Sequence, residues 1–96
     1  MDPAIPNIKI SDVVVSTAGR DTGKWFYVIA EDTNFLFLAN GKDRTLDKPK
    51  HKKRKHVQKV LRSETRVAQK LRSGDKVLNG ELRRDLAFLA RETASE

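Results

Sequence analysis

The chain has 96 residues, no cysteine, and 20 Lys/Arg against 13 Asp/Glu, which gives a formal net charge of +7. This length accommodates one domain without a separate catalytic domain, and the lack of cysteine excludes disulfides, thiolate metal sites and cysteine nucleophiles. Residues 1–10 carry Asp2 and two prolines in place of a basic region followed by an apolar run. We interpret them as an N-terminal tail and not as a signal peptide.

The positive charge is concentrated in the middle of the chain. Residues 42–72 hold thirteen Lys/Arg against three Asp/Glu, whereas residues 1–41 and 73–96 are each slightly acidic. Such an asymmetry is typical of proteins that bind a polyanion. Because no apolar run reaches membrane-spanning length, we expect a cytoplasmic protein.

Three short runs after the tail are rich in β-branched and aromatic residues, which favour strands. They are Asp12–Ser16, Trp25–Glu31 and Phe35–Ala39. Asn40-Gly41 predicts a tight type I′ turn into a further strand over residues 42–47. Apolar residues occupy both faces of these runs, and we expect at least two of the three aromatic residues at positions 25–27 to be core. This pattern favours a small SH3-like β-barrel over residues 11–62.

The basic segment, residues 48–59, follows. Seven of its twelve residues are Lys or Arg and none is acidic, so self-repulsion predicts an extended or mobile segment unless a partner neutralises it. Residues 56–61 alternate enough in character to add a closing strand.

Residues 63–96 predict a helical C-terminal region, so the predicted fold class is mainly β with C-terminal α. Ser63 is the candidate N-cap of a first helix that ends at Ser73-Gly74, and Asn79 is the candidate cap of a second helix over residues 80–94. Each predicted helix has an apolar face, and we interpret that of the second helix as a docking face against the barrel or the first helix. These faces are Val67, Ala68 and Leu71 in the first helix, and Leu82, Leu86, Leu89 and Ala90 in the second.

The glycine loop, residues 16–24, lies between the first two predicted strands. Its Gly-x-x-x-Gly-Lys pattern has three residues between the glycines and a tryptophan after the lysine. A nucleotide-binding P-loop needs four residues there and a Ser or Thr after the lysine, so we reject nucleotide binding. Gly19 and Gly23 permit backbone conformations closed to other residues, while Arg20 and Lys24 offer charge to a closely approaching RNA backbone.

This stretch resembles a KOW motif, a β-loop-β element of several ribosomal proteins and transcription elongation factors. The resemblance rests on VVVS at positions 13–16, on Gly19-x-x-x-Gly23-Lys24, and on Val28. The stretches AGRDTGKWFYVIA, FLFLANG and KPKHKKRKH extend it, over residues 11–62, to small bacterial KOW-domain proteins related to a large-subunit ribosomal protein of archaea and eukaryotes. That pattern commonly has a glycine just before the first strand, where this chain has Ser11-Asp12.

The resemblance implies an SH3-like barrel that binds structured RNA without catalysis. We therefore predict a non-catalytic, ribosomal or ribosome-associated protein whose partner is RNA, in particular ribosomal RNA, with ribosomal proteins as further candidates. We expect no cofactor, no membrane and no small-molecule substrate. The predicted RNA-binding residues are Gly19, Arg20, Gly23 and Lys24 in the glycine loop, and Lys48, Lys50, Lys52, Lys53, Arg54, Lys55, His56 and Lys59 in the basic segment.

Two alternatives stay open. An SH3-like domain can also be a protein-interaction module of the transcription or translation machinery, because fold does not determine function. Phosphate contacts, moreover, do not distinguish RNA from DNA. His51 and His56 lie among close cations, which disfavours a metal site, and no nucleophile, base and orienting residue form a group that the sequence supports. Trp25, next to the loop, is a candidate for base stacking.

Overall fold

The computed structural model describes residues 7–94, within which five strands form one antiparallel sheet and two helices follow it. The predicted mainly β fold with C-terminal helices is confirmed. The strand order in the sheet is β4-β3-β2-β1-β5. The elements are β1 (Asp12–Ser16), β2 (Trp25–Glu31), β3 (Phe35–Ala39), β4 (Lys50–Lys53), β5 (Val57–Arg62), α1 (Arg66–Ser73) and α2 (Asn79–Ala94).

The first three strands have the predicted bounds, and the basic segment contributes β4 and the first half of β5, the two edge strands. It is extended, one of the two states predicted for it: β4 pairs with β3, and β5 pairs with β1. A single 3-10 turn, Arg54–His56, joins the two. The pairing does not run from β4 to β5 within the described residues, so closure into a barrel stays a prediction.

The sheet buries apolar side chains on both faces, as the sequence predicted. The face that we call inner carries a buried cluster, and the outer face packs against the helices. Phe26 is buried on the inner face and Tyr27 on the outer face, and a large side chain buried in this way contributes roughly 1.5–3 kcal/mol. Of the predicted tail, residues 1–6 lie outside the described residues, while Ile8 is buried in the inner cluster. That cluster is Ile8, Val14, Phe26, Val28, Leu36, Leu38 and Val57.

The first helix begins two residues later than the sequence predicted. Thr65, not Ser63, is the N-cap, and its hydroxyl accepts a hydrogen bond from the Ala68 amide at 3.2 Å. Ser63 is instead buried, with its hydroxyl 2.7 Å from that of Tyr27. The predicted apolar face of α1 is confirmed, and Gly74 ends the helix in a left-handed conformation.

The second helix docks onto the outer face of β2 through Leu82, Leu86 and Leu89. Ala90 was predicted on the same face, but it is exposed because it falls past the edge of the buried stripe. Asn79 lies at the start of α2, as predicted. Its side-chain oxygen, however, accepts the Leu46 amide at 2.8 Å, so it ties the helix to the β3–β4 connection.

A polar network links α2 to the sheet. The Tyr27 hydroxyl is hydrogen-bonded to the Asp85 carboxylate, which also accepts from the Thr65 hydroxyl at 2.8 Å. Burial, together with Asp85, raises the pKa of Tyr27 above its ordinary value. The phenol therefore stays protonated and remains a hydrogen-bond donor.

The predicted tight hairpin at Asn40-Gly41 is wrong, because residues 42–47 form no strand and β3 pairs with β4. The Asn40 side chain instead accepts the amides of Lys42 and Arg44 and so shapes a wider connection. Gly41 is still required: its φ is +78°, and a Cβ there would lie 2.2 Å from the Asn79 carbonyl oxygen. Helix docking, which turn chemistry alone does not show, decides this geometry.

Ser11 adopts a conformation that favours glycine. Its φ is +74°, in the left-handed region that costs non-glycine residues energy. The serine is buried, and its hydroxyl accepts a hydrogen bond from Arg72 at 2.7 Å. This is the position at which the KOW pattern commonly has a glycine, and the Arg72 contact offsets part of the strain.

Candidate nucleic-acid interface

The glycine loop is a tight, internally bonded turn between β1 and β2. The Gly23 amide donates to the Ser16 carbonyl at 2.8 Å, and the Thr22 hydroxyl donates to the Gly19 carbonyl at 2.6 Å. Gly19 and Gly23 have φ values of +87° and +89°, so both positions require the freedom that only glycine has without strain. Their predicted role in shaping the loop thus has a geometric basis.

Lys52 holds this loop from the inner face of β4. Its ammonium donates to the Ala18 carbonyl and to Asp21 Oδ1, both at 2.6 Å. The Lys52 and Asp21 side chains are only 7% and 13% exposed. Burial raises the pKa of Asp21, but hydrogen bonds from Lys52 and Ser16 outweigh it and leave that pKa below its ordinary value. Lys52 was predicted to bind RNA, yet its charge is neutralised within the protein.

Arg54 also binds within the protein. Its guanidinium donates to the carbonyl oxygens of Ile8 at 2.8 Å and Asp32 at 3.0 Å, and it lies 3.4 Å from the Glu31 carboxylate. Lys59, another predicted ligand, lies 3.3 Å from the buried carboxylate of Asp12 and is 39% exposed. The strand pairing of the basic segment therefore places part of its charge against acceptors of the same chain.

Six of the thirteen cations of residues 42–72 are ion-paired with carboxylates of the chain: Lys52, Arg54, Lys59, Arg62, Lys70 and Arg72. The other seven make no side-chain hydrogen bond or ion pair with residues 7–94: Lys42, Arg44, Lys48, Lys50, Lys53, Lys55 and Arg66. Arg20 in the glycine loop is likewise exposed and unpaired within that range. These eight side chains can meet phosphates without breaking a hydrogen bond or an ion pair with the described residues.

A cleft of about 230 Å³ separates the glycine loop from the β3–β4 connection. We call it the loop cleft, and its lining residues are Arg20, Asp21, Lys24, Phe26, Asp43 and Arg44. The sequence analysis missed Arg44, since it lies outside both predicted segments and only folding brings it to the loop. Arg20 and Arg44 thus share one concave surface.

Lys24 spans the loop cleft by bonding to Asp43 at 2.6 Å. Both side chains are well exposed, at 49% and 43%, and exposed pairs of this kind contribute little to stability. The hydrogen bond from Lys24 lowers the pKa of Asp43 below its ordinary value. A phosphate can therefore replace Asp43 as the partner of Lys24 at small cost.

The two histidines have different environments. His51 is exposed on the outer face of β4 and stacks against Phe35 and Phe37. His56 is half-buried, and its carbonyl accepts the Thr17 amide at 2.9 Å. Trp25 is half-buried against the helix-covered cluster of the outer face. Residues 7–94 contain no group of three or more side chains placed to hold a metal ion.

No helix in the described part of the chain is long and apolar enough to cross a membrane.

No protein-family model matches the chain, and no curated protein matches it.

Proposed function

We propose that the protein is a non-catalytic RNA-binding protein of the KOW type, and that it contacts structured ribosomal RNA through the glycine loop and the unpaired cations beside it. The observation that carries this proposal is the loop cleft. There a tightly bonded glycine loop places Arg20 in the same cleft as Arg44, with Lys24 held only by an exposed ion pair. Unpaired arginines suit phosphate contacts, because the planar guanidinium can donate two hydrogen bonds to one phosphate.

We also propose that the sheet belongs to an SH3-like barrel. Two features support closure: only Arg54–His56 separates the edge strands β4 and β5, and Arg54 reaches from that turn to the Ile8 carbonyl. The glycine loop joins β1 to β2, which is its place in the KOW element that the sequence resembles.

Charge distribution favours RNA over a protein partner. A phosphate backbone is recognised by many cations at once, whereas protein-binding surfaces are depleted in lysine. Six of the eight unpaired side chains lie on the β3–β4 connection, on β4 and on the turn after it: Lys42, Arg44, Lys48, Lys50, Lys53 and Lys55.

The test measures binding to purified ribosomal RNA as a function of salt concentration. We expect log K to fall linearly with log salt, and the double variant Arg20→Gln, Arg44→Gln to flatten the slope by about 1.4–1.8 units. The matched control is Arg66→Gln, Arg91→Gln, which removes the same charge from exposed positions on α1 and α2.

Each outcome has a distinct meaning. An unchanged slope in the loop-cleft variant would remove the loop cleft from the interface, and an equal loss in the helix variant would show that only net charge matters. Wild-type protein that binds no ribosomal RNA at low salt would overturn the RNA-binding proposal and favour the protein-interaction module. Equal affinity for DNA duplexes of matched length would argue against RNA as the dedicated partner.

A further inference from the structure

A second surface, apart from the loop cleft, lies on the outer face of β3 and β4. Strand pairing sets Phe37 opposite His51 and Phe35 opposite Lys53, so all four side chains share this face. The rings form a stack: His51 is 4.2 Å from Phe35 and 4.8 Å from Phe37 between centroids, with interplanar angles of 21° and 27°. We call these three rings and Lys53 the outer-face stack.

The outer-face stack is accessible although its rings are apolar. His51 and Lys53 are exposed, and both phenylalanines are only half-buried. The helices cover the part of the outer face around Tyr27 and Ala39, but neither phenylalanine belongs to that cluster. His51 stacks with both phenylalanines, whereas each phenylalanine stacks with one ring of the described residues, so the half-buried phenylalanines leave aromatic surface open to a further flat partner.

The charge around the outer-face stack selects the kind of flat partner. Strands β3 and β4 contain no acidic residue. Lys53 belongs to the stack, Lys55 follows in the 3-10 turn, and neither is ion-paired within the described residues. Aromatic rings beside unpaired lysines form the combination that binds single-stranded nucleic acid: bases stack on the rings and the lysines neutralise the backbone.

We infer that the outer-face stack binds unpaired bases of single-stranded RNA, as a second contact separate from the loop cleft. This inference rests on the proposed RNA-binding function and narrows the ligand, because stacked bases inside a duplex cannot reach the rings. Aromatic rings that serve only to stabilise the pairing of β3 with β4 would give the protein no preference for single-stranded over duplex RNA.

Stacking and phosphate contacts leave different signatures. Stacking releases no counterion, so removal of a ring should lower affinity without a change in the salt slope, whereas removal of a lysine should change both. We expect Phe37→Leu and His51→Gln each to weaken binding of a labelled 12-nucleotide single strand roughly fivefold or more. Binding of the same strand as a duplex should not change. Phe88→Leu is the matched control, since Phe88 is 44% exposed but lies on α2.

A measurement on the unaltered protein covers the case in which a variant fails to fold. The chain has only two histidines, so their ring protons are easily resolved by NMR. Addition of the single strand should shift the His51 ring protons upfield through base ring currents, while the ring protons of Phe88 on α2 serve as internal reference.

No His51 shift, or an equal loss of single-strand and duplex affinity in the ring variants, would overturn the inference. Salt-dependent RNA binding would then still stand on the loop cleft. If the wild-type protein bound neither nucleic acid, the proposed function itself would fail. The two failures are therefore distinguishable.

Discussion

Lys52 and Lys53 are neighbours on β4, yet the structure gives them opposite roles. Lys52 points to the inner face, is 7% exposed, and binds Asp21 and the Ala18 carbonyl beneath the glycine loop. Lys53 lies on the outer face opposite Phe35 and is exposed. Strand alternation thus places these two neighbouring lysines on different faces, so that Lys52 builds the loop and Lys53 is available to a partner.

The largest expected difference between these two lysines is in stability. Lys52→Met retains the apolar stem but leaves the Asp21 carboxylate without its cation, so we expect the free energy of unfolding to fall by about 2–4 kcal/mol. Lys53→Met should change it by no more than about 0.5 kcal/mol. Urea denaturation of both variants measures the contrast, and equal values would contradict it.

The contribution of Lys52 should depend on pH. The pKa of Asp21 in the folded protein is below its ordinary value, so the stability it provides is full above about pH 4 and is lost as pH falls through the lower, folded pKa. We expect the stability gap between wild type and Lys52→Met to be constant near neutrality and to shrink in acid. A gap that persists undiminished at pH 2 would show that Lys52 acts through packing and not through charge.

The unpaired lysines should affect binding and not folding. In Lys48→Gln, Lys53→Gln, Lys55→Gln we expect a loss of roughly fivefold in ribosomal RNA affinity per contact near 0.15 M salt, and a slope flatter by about 0.7–0.9 per contact. The thermal midpoint should stay that of wild type. Replacement of every Lys and Arg at positions 48–55 would change RNA binding and folding stability together, because Lys52 and Arg54 make intramolecular hydrogen bonds. An unchanged salt slope in the triple variant would mean that these lysines only solvate the surface.

The smallest expected effect is an increase in RNA affinity, and it concerns the loop cleft. Asp43→Asn removes the competitor for Lys24, so RNA affinity should rise by about two- to threefold. Asp47→Asn removes the same charge from the same connection without releasing a lysine from an ion pair, and it serves as the control. Titration of both variants with RNA at one salt concentration measures the difference in affinity. An equal rise in affinity in both variants would show that the change in net charge, and not the release of Lys24, causes it.

Local patterns in the sequence were sufficient for much of the fold. The β-branched and aromatic runs have the bounds of β1, β2 and β3, and the alternation at residues 56–61 corresponds to β5. The apolar stripe of α2 is buried at Leu82, Leu86 and Leu89. These features follow from periods of two and 3.6 residues, which are properties of the chain itself.

Tertiary structure overrode local signals where a distant partner competed for the same group. The Ser63 hydroxyl is hydrogen-bonded to the Tyr27 hydroxyl, and Thr65 is the N-cap of α1 instead. The turn at Gly41 accommodates α2 in place of a tight hairpin. Both local predictions were chemically sound. In the folded chain, residues far away in sequence formed contacts that excluded the predicted cap and the predicted turn.

The sequence by itself determined a strand-rich, basic protein with a glycine loop and two amphipathic helices, because composition and periodicity are local. Only the tertiary structure decided which cations remain available. It buried Lys52 against Asp21, tied Arg54 to the Ile8 carbonyl, and brought Arg44 to Arg20 across the loop cleft. The physical reason is that the sequence of a charged run does not show on which face of a strand each side chain lies, or which carboxylate it meets. Strand register and long-range pairing with carboxylates assign each side chain its face and its partner.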